Sequence, residues 1–417
     1  MNGVFDMEYD VIVIGAGPAG MTAAIAAAEY GAKTAVIEPN EKVGRKLAIT
    51  GKGRCNVTNN SDNETIMKNI PRNPRFMYSS LSAYSAADVM DFFEQEGVPL
   101  KTERGNRVFP ISDKAYDIVD ALFMKMKRCG VTLIRGRARE IRTEDGAVTG
   151  VVTDKGFISA KKVILATGGA SYPVTGSTGE GYKIAKKLGH TVTPLKPSLV
   201  PLETEENCAV MMGLSLKNVT LSVRDNSRNK TVFSEMGEML FTHFGISGPL
   251  VLSASSNMDE ISSGKYTAVI DLKPALSSEQ LEARLLRDFE ERKNMQLSNG
   301  LRKLLPEKII LPLLKKTGVS PEKQINSVTR AERGAICAAV KGFSLSVTGY
   351  RPIEEAIITD GGISVKEINP KTMESKLIEG LYFAGEIIDV TGFTGGFNLQ
   401  IAFSTGHAAG TAAAESL

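Results

Sequence analysis

Cysteine is scarce in this sequence, and the spacing of the four cysteines excludes several kinds of site. Cys55, Cys129, Cys208 and Cys337 are far apart, and none belongs to a Cys-x-x-Cys pair. The sequence therefore contains neither a local zinc cluster nor a redox dithiol, and we expect no metal centre. Free cysteines at such spacing are typical of a protein from a reducing compartment.

An excess of one charge and long apolar runs are also missing. The 50 Lys and Arg residues nearly balance the 47 Asp and Glu residues, which gives a net charge of +3. Bulk charge therefore does not favour nucleic acid or an anionic membrane as partner. No segment reaches the roughly 20 apolar residues that span a bilayer. The start, MNGVFDMEYD, is acidic where a secretory signal would be basic. We expect a cytoplasmic protein that binds no membrane.

Length and composition predict a folded protein of several domains. The chain has 417 residues, more than the roughly 250 to 300 at which a single hydrophobic core stops growing. Hydrophobic residues make up 42% and charged residues 23%, which is typical of ordinary globular proteins. A small disulfide-stabilised scaffold and a disordered chain are both excluded.

The first forty residues predict a dinucleotide-binding unit. The apolar run YDVIVI, residues 9–14, is typical of a buried strand, and GAGPAG, an alanine-rich helix and the strand KTAVIE follow it. In such a unit Gly15 allows the tight turn, Gly17 lets backbone approach a pyrophosphate, and Gly20 lets the helix pack on the sheet. Glu38, at the end of the second strand, would accept hydrogen bonds from ribose and repel a 2′-phosphate. The ligand should be FAD or NAD rather than NADP.

The loop after Glu38 suits a second contact with such a ligand. Residues 39–60 contain glycines at positions 44, 51 and 53 and basic residues at 45, 46, 52 and 54. Glycine-rich backbone with interleaved Arg and Lys can wrap a phosphate or a planar ring system. The alternative is a basic surface loop.

Three long motifs carry a resemblance to a known family. GAGPAG, GRKLAITGKGRCNVTN and AGEIIDVTGFTGGFNLQIAFSTG, together with ILATGGASYPVTGSTGEGY between them, resemble the BaiN-like or aminoacetone-oxidase-like bacterial FAD-binding proteins. The resemblance covers essentially the whole chain. It implies FAD as cofactor and a Rossmann-like α/β fold of the glutathione-reductase type, interrupted by a β-rich insertion with a small helical subdomain. It also implies NAD(P)/FAD-dependent oxidoreductase activity.

The resemblance also implies which residues hold FAD. It places the pyrophosphate on Gly15, Gly17, Pro18, Ala19 and Gly20, the adenosine ribose on Glu38, and the adenine near Ala138. It places Arg45 and Lys46 along the ribityl and phosphate region, Gly51, Gly53, Arg54, Cys55, Asn56 and Thr58 along the isoalloxazine edge, and Thr167, Gly168 and Gly169 over the cofactor. The C-terminal motif adds Gly385, Glu386, Asp389, Gly395, Gly396, Phe397, Asn398, Leu399 and Gln400.

The C-terminal motif has a physical reason beyond the resemblance. Gly395 and Gly396 open a helix whose first turn offers free backbone amides. Reduced flavin carries negative charge around N1 and C2=O, and a helix N-terminus stabilises such charge.

Changes of pattern along the chain predict the domains. Short alternating runs fill residues 194–276 and helical patterns fill 277–340, where Thr329 and Glu332 form a capping-box signature. We expect a discontinuous FAD-binding domain, 1–193 plus 341–417, a β-rich insertion, 194–276, that shapes the substrate pocket in the resemblance, and a helical subdomain, 277–340.

The leading function is hydride transfer between FAD and a small organic substrate, either reduction of a conjugated C=C bond or oxidation of an amine or alcohol. A second GxGxxG unit is missing from the sequence, so NAD(P)H would bind only transiently. His243, in FTHFGISGP, is a candidate acid or base, and a structural histidine is the alternative. A flavin-dependent tRNA-modifying enzyme and a non-catalytic flavin sensor are the other candidate functions. Sequence leaves the oligomeric state open.

Overall fold

The computed structural model describes residues 8–417, and its strands range from two to twelve residues. They are β1 (Glu8–Ile14), β2 (Thr34–Glu38), β3 (Thr58–Asn59), β4 (Leu100–Glu103), β5 (Arg107–Pro110), β6 (Thr132–Arg135), β7 (Ala138–Glu144), β8 (Ala147–Thr153), β9 (Gly156–Leu165), β10 (Lys196–Ser198), β11 (Leu202–Thr204), β12 (Ser215–Asp225), β13 (Lys230–Phe241), β14 (Gly245–Ser247), β15 (Tyr266–Asp271), β16 (Phe343–Tyr350), β17 (Ile358–Asp360) and β18 (Leu381–Phe383).

The α-helices range from one turn to five turns. They are α1 (Pro18–Glu29), α2 (Arg45–Gly53), α3 (Asn63–Lys68), α4 (Tyr78–Ala83), α5 (Ala86–Gln95), α6 (Ala115–Arg128), α7 (Glu180–Lys187), α8 (Pro249–Ser255), α9 (Ser278–Glu290), α10 (Leu297–Gly300), α11 (Glu307–Thr317), α12 (Arg330–Lys341) and α13 (Phe397–Glu415). No helix among residues 8–417 has the length and apolar character to cross a bilayer.

The chain forms two compact units. The first contains the described residues up to Ser198 together with Ile353–Leu417, and the second contains Leu199–Pro352.

A seven-stranded sheet forms the centre of the first unit. Its order is β6-β2-β1-β9-β8-β7. The strand β8 pairs with residues 156–159 of β9, and β18 pairs with residues 163–165 on the same strand. The pairings β6–β2, β2–β1, β1–β9 and β9–β18 are parallel, whereas β7, β8 and β9 form an antiparallel meander. This is the predicted Rossmann-like arrangement, and β1 is buried from Val11 to Ile14 because both faces of the sheet are covered.

The meander differs from its sequence pattern in one place. Residues 131–141 alternate as one strand would, but the structure divides them into β6, parallel to β2, and β7, antiparallel to β8. The division falls at Gly136, where an added Cβ would lie 2.9 Å from a carboxylate oxygen of Asp154. The alternating pattern therefore does not show where the parallel strand ends and the antiparallel strand begins.

Two alanine-rich and glycine-rich helices lie against one another in the first unit. A Cβ at Gly406 of α13 would lie 2.4 Å from the carbonyl oxygen of Ala19 in α1, and one at Gly410 would lie 2.1 Å from that of Ala23. Backbone touches backbone at both places, so only glycine fits. The contact fixes α13 beside the helix that begins at the GAGPAG turn.

The second unit is a closed antiparallel barrel with helices that share its core. The barrel order is β11-β14-β13-β12-β15-β16. Side chains from the barrel and from α9, α11 and α12 form one hydrophobic cluster, which includes Leu281, Leu313 and Ile336. The capping box of α12 is confirmed, since Thr329 Oγ accepts from the amide of Glu332 and Glu332 accepts from the amide of Thr329.

The bounds of the compact units differ from those of the predicted domains. The first unit extends to Ser198 because β10 pairs with β17, and it resumes only at Ile353 because β16 belongs to the barrel. The helices of residues 277–340 lie in the same unit as the barrel. The division into one discontinuous FAD-binding domain, a β-rich insertion and a separate helical subdomain stays a prediction for folding experiments.

Candidate dinucleotide-binding site

The glycines of the GAGPAG turn have different surroundings. Gly15 has a φ of +105°, and an added Cβ would lie 2.6 Å from the carbonyl oxygen of Ala166. A Cβ on Gly20 would lie 1.9 Å from the carbonyl oxygen of Gly15. Around the Cβ position of Gly17, no atom of the described residues lies within 4 Å apart from those of Gly17 and its two chain neighbours. Two glycines therefore serve the packing of the turn, and the third leaves open space at the start of α1.

That open space has the chemistry of an anion site. Gly17 is the N-cap of α1, Pro18 occupies the first helical position, and no described side chain caps the helix. Ala19 and Gly20 follow, both buried. Free amides and the helix dipole favour a phosphate at such a terminus. The residues fit a pyrophosphate.

Glu38 ends β2 with a buried carboxylate. Its Oε2 accepts from the amide of Ala16 at 2.9 Å, and its Oε1 accepts from the amide and side chain of Asn40 at 2.9 and 2.6 Å. Arg45 donates to the Asn40 side chain at 2.8 Å. Glu38 thus ties β2 to the glycine turn, and Asn40 is a site residue that the sequence motif did not indicate.

The start of β7 lies beside the end of β2. The amide of Gly136 donates to the carbonyl of Glu38 at 3.3 Å, and Ala138 is buried two residues further on. The structure therefore brings Ala138 near the strand end that carries Glu38.

A second cluster surrounds Glu386. Lys46 Nζ lies 2.8 Å from Glu386 Oε2 and 2.7 Å from Ser171 Oγ, and the amide of Thr359 donates to Glu386 Oε1 at 2.9 Å. A Cβ on Gly169 would lie 2.5 Å from Thr359 Oγ1 and 2.9 Å from Glu386 Oε1. The Lys46–Glu386 ion pair thus joins two predicted motifs that are 340 residues apart. Ser171 and Thr359 are additional residues of this cluster.

The turn formed by Thr167 and Gly168 adjoins this cluster. Gly168 has a φ of +72°, which favours glycine. The Thr167 hydroxyl is buried without a hydrogen-bond partner among residues 8–417, and it lies over Gly181, where an added Cβ would be 2.0 Å away. The Thr167 side chain therefore packs on α7.

The end of α2 is a turn rather than regular helix. Thr50, Gly51 and Lys52 have non-helical backbone angles, and Gly51, Lys52 and Gly53 are exposed. Asn56 Oδ1 is buried and has no hydrogen-bond partner among the described residues. A buried acceptor of this kind suits a polar ligand, because an unsatisfied polar atom is costly.

Two other residues of this segment serve the protein itself. The Arg54 guanidinium lies 4.2 Å from the Phe109 ring centroid and pairs with Glu103 at 2.5 Å and Asp113 at 2.6 Å. Cys55 is fully buried, and burial raises the pKa of its thiol to about 12. A thiol that stays protonated does not act as a redox relay.

The start of α13 meets β3. Gly396 is the N-cap of α13 with a φ of +99°, and a Cβ there would lie 2.3 Å from the carbonyl group of Thr58. Thr58 Oγ1 donates to Gln400 Oε1 at 2.5 Å, and Gln400 Nε2 donates to the carbonyl of Tyr84 at 3.1 Å. The Thr58 and Gln400 side chains are therefore engaged within the protein. At the start of α13, the groups left to bind a ligand are therefore the backbone amides of the first turn.

The neighbouring residues hold the glycine pair in place. Asn59 Nδ2 donates to the carbonyl of Gly395 at 3.0 Å, and Asn398 Oδ1 accepts from the amide of Gly392 at 2.9 Å. Phe397 is buried and Leu399 is half-buried. Gly385 follows β18, and a Cβ added there would lie 2.7 Å from the Cβ of Ala19.

His243 lies in the second unit, whereas all other predicted site residues lie in the first. It is exposed in the turn between β13 and β14, with its ring 5.0 Å from that of Phe244 in an edge-to-face arrangement. A catalytic role for His243 stays a prediction. No group of three or more metal-ligating side chains occurs among residues 8–417.

His407 predicts a pH dependence of stability in the first unit. Its ring stacks on Tyr84 with centroids 4.4 Å apart, and burial lowers its pKa below the ordinary 6.5. The folded protein therefore favours neutral His407, so stability falls when the unfolded chain takes up a proton below about pH 6.5. His407→Phe keeps an aromatic ring on Tyr84. We expect its melting temperature to fall less than that of wild type when the pH is lowered from 7.5 to 5.5.

The control for this measurement is His243→Phe, which replaces an exposed histidine. Thermal melting of each variant at both pH values gives the comparison. If His407→Phe and wild type lose the same melting temperature, burial of His407 contributes nothing to the pH dependence.

Comparison with known proteins gives one family and several relatives of full length. The family model described as the HI0933-like protein Rossmann domain matches residues 9–412. The ribosomal RNA dihydrouridine synthase of Escherichia coli (strain K12) is 31% identical over 96% of this chain and 97% of its own. The 3-dehydro-bile acid delta(4,6)-reductase of Clostridium scindens is 30% identical over 97% of this chain and 98% of its own.

One solved structure shows the extent of the shared fold. The 3-ketosteroid delta1-dehydrogenase from Sterolibacterium denitrificans aligns with a TM-score of 0.53 at 14% identity, covering 98% of this chain and 100% of that chain. At this identity the likeness is one of fold.

Proposed function

This chain belongs to the HI0933-like family of FAD-binding Rossmann proteins, and from that premise we propose that it reduces a C=C bond conjugated with a carbonyl group. One observation carries the proposal. The two relatives named above differ in substrate, but both names describe saturation of such a bond, in the uracil ring of ribosomal RNA and in an oxidised bile acid. The reaction type is common to both relatives, whereas the substrate is not.

The glycine turn and Glu38 provide the adenosine half of the proposed FAD site. The amides at the start of α1 would bind the pyrophosphate, and the open space at Gly17 would admit it. Glu38 and Asn40 lie at the end of β2, where a ribose is bound in Rossmann units. The Gly168–Gly169 turn and the Lys46–Glu386 pair would hold the central part of the cofactor.

The first turn of α13 and Asn56 provide the flavin half of the site. Bound FAD supplies hydride transfer. The free amides after Gly396 would stabilise negative charge on the reduced flavin, and the buried Asn56 Oδ1 would accept a hydrogen bond from an N–H group of the cofactor.

The proposed reaction consumes one hydride and one proton. The hydride adds to the carbon β to the carbonyl, and the proton adds to the α carbon, so the C=C bond becomes a single bond. NAD(P)H is the proposed hydride source and leaves as NAD(P)⁺. Since the sequence has one GxGxxG unit, the nicotinamide binds transiently.

The favoured substrate is a small enone, and a uracil ring in ribosomal RNA is the second candidate. A net charge of +3 over 417 residues argues for the small molecule. The 31% identity to a ribosomal RNA dihydrouridine synthase over nearly the whole chain favours the second candidate. Both substrates present a C=C bond next to a carbonyl.

Reoxidation of the reduced protein tests the proposal. We expect the anaerobically reduced holoprotein to regain its oxidised flavin absorbance on mixing with a 4-en-3-one steroid or with 2-cyclohexenone. The saturated ketones are the controls and should leave it reduced.

Ribosomal RNA lacking dihydrouridine forms the second arm of the experiment. If RNA reoxidises the flavin and enones do not, the small-molecule substrate is wrong but the reaction type stands. Reduced flavin that reacts with oxygen and with neither acceptor would overturn the proposal.

A further inference from the structure

A short segment before α4 runs against the loop that leads into α13. Arg72 forms an antiparallel bridge with Thr391, and the amide of Phe393 donates to the carbonyl of Asn69 at 2.9 Å. Asn73 Nδ2 donates to the carbonyl of Asp389 at 2.6 Å. The backbone of the loop is thus held at Asp389, Thr391 and Phe393 by residues 69–73.

The Arg72 side chain adds an ion pair to this contact. Its guanidinium engages Asp389 through two nitrogens, Nε with Oδ1 and Nη2 with Oδ2 at 3.1 Å. The Asp389 side chain is 6% exposed, and that of Arg72 is 35% exposed. Arg72 Nη1 also lies 3.5 Å from Asp360 Oδ2, and Thr391 Oγ1 donates to Asp360 Oδ1 at 3.0 Å. One guanidinium therefore joins two carboxylates from different parts of the chain.

This loop connects the Arg72–Asp389 ion pair to the first turn of α13. It runs from Asp389 to the glycine pair at 395 and 396 and ends at the N-cap of the helix. Asn398, inside the first turn, holds the amide of Gly392 at 2.9 Å and its carbonyl at 2.7 Å. A shift of Asp389 would therefore move the residues whose amides face the proposed flavin pyrimidine.

We propose that Arg72 is a positioning residue for the flavin, acting through Asp389. Asp389 then serves as an anchor for the loop rather than as a direct ligand of FAD, since its carboxylate is engaged by the guanidinium. The proposal rests on the flavin site at the start of α13 and is independent of the substrate. The sequence motifs gave no indication of Arg72, because the bonded residues are 317 positions apart.

Flavin binding and potential measure this role directly. Arg72→Met should weaken FAD binding by at least about tenfold, because a misplaced first turn loses its amide contacts and leaves Asp389 unpaired. Arg72→Lys should weaken it less, since one charged hydrogen bond survives. The potential of the bound flavin should become more negative in Arg72→Met, because reduced flavin loses stabilisation by the helix N-terminus.

A double-mutant cycle shows whether Arg72 acts through Asp389. In the Asp389→Asn background, Arg72→Met should add little to the loss of FAD affinity. Additive losses would mean that Arg72 acts elsewhere, and the proposal would be wrong.

Arg128→Met is the matched control. Arg128 pairs with Glu96, whose side chain is 10% exposed, so the variant removes a similar ion pair in the same unit. We expect it to lower the melting temperature of the apoprotein while FAD affinity and flavin potential stay at the wild-type values. If Arg72→Met behaves in the same way, Arg72 has only a structural role and the proposal fails.

The positioning role of Arg72 and the proposed enone reduction can fail independently of each other. Loss of flavin affinity in Arg72→Met supports the positioning role even when no enone is reduced by wild type. Active enone reduction with wild-type flavin affinity in Arg72→Met overturns the positioning role alone.

Discussion

Gly17→Ala is expected to abolish most FAD affinity while the apoprotein keeps nearly its full stability. The backbone angles at Gly17, φ −82° and ψ −177°, suit alanine, and apart from Gly17 and its chain neighbours no described atom lies within 4 Å of the new Cβ. The methyl group would instead fill the space proposed for the pyrophosphate. We expect a loss of FAD affinity of about 100-fold, equivalent to ~2.7 kcal/mol. Alanine at an N-cap costs the apoprotein about 1 kcal/mol or less.

Gly20→Ala is the control for this prediction. Its Cβ would lie 1.9 Å from the carbonyl oxygen of Gly15, so both stability and FAD affinity should fall. FAD titration and chemical denaturation of the two apoproteins give the comparison. Wild-type FAD affinity in Gly17→Ala would place the cofactor away from the start of α1.

Gly410→Ala is expected to destabilise the first unit severely, although alanine is the better helix former. Its Cβ would lie 2.1 Å from the carbonyl oxygen of Ala23, which is backbone and cannot rotate away. Separating α13 from α1 should cost about 3 kcal/mol of unfolding free energy, at the upper end of the usual cost of overpacking. Denaturant unfolding of the apoprotein measures the loss.

The matched control is Gly334→Ala, for which we expect an increase in the unfolding free energy. Gly334 lies exposed in α12, and apart from its chain neighbours and the backbone of its own helix no described atom lies within 4 Å of its Cβ position. Gly334→Ala should therefore stabilise the protein by ~0.5 to 1 kcal/mol through helix propensity alone. A stabilised Gly410→Ala would show that α1 and α13 are farther apart than described.

The first forty residues could be read from sequence because their restraints are local. A buried strand, a glycine turn, a helix with proline at its first position and a strand ending at Glu38 each depend on neighbours within about 30 residues. The family resemblance extended this to FAD and to the fold class, and the family and the fold class are confirmed.

The roles of individual side chains could not be read in this way. Arg54, Thr58 and Gln400 match the motif, but each is bonded to protein groups brought near by the fold. Conversely, Asn40, Thr359 and Arg72 lie outside the motifs, and Ser171 lies inside one without having been assigned a role; these residues complete the clusters around Glu38, Glu386 and Asp389. Such partners are decided by tertiary contacts over long sequence separations, which periodicity and spacing do not record.

The position of β16 illustrates the same limit for domain bounds. Its alternating pattern identifies a strand but not the sheet that it joins. The barrel needs a strand between β15 and β11, and β16 supplies it. A bound placed at 340/341 therefore falls before the last strand of the barrel.

The contact between α1 and α13 has a consequence for synthesis on the ribosome. α1 ends at Glu29 and α13 begins at Phe397, about 370 residues later. At the usual elongation rates of 5 to 20 residues per second, the first helix waits roughly 20 to 70 s for its partner. Throughout that time its alanine face is open to solvent and to chaperones. Stable acquisition of the flavin therefore follows translation of α13 and does not accompany the emergence of the glycine turn.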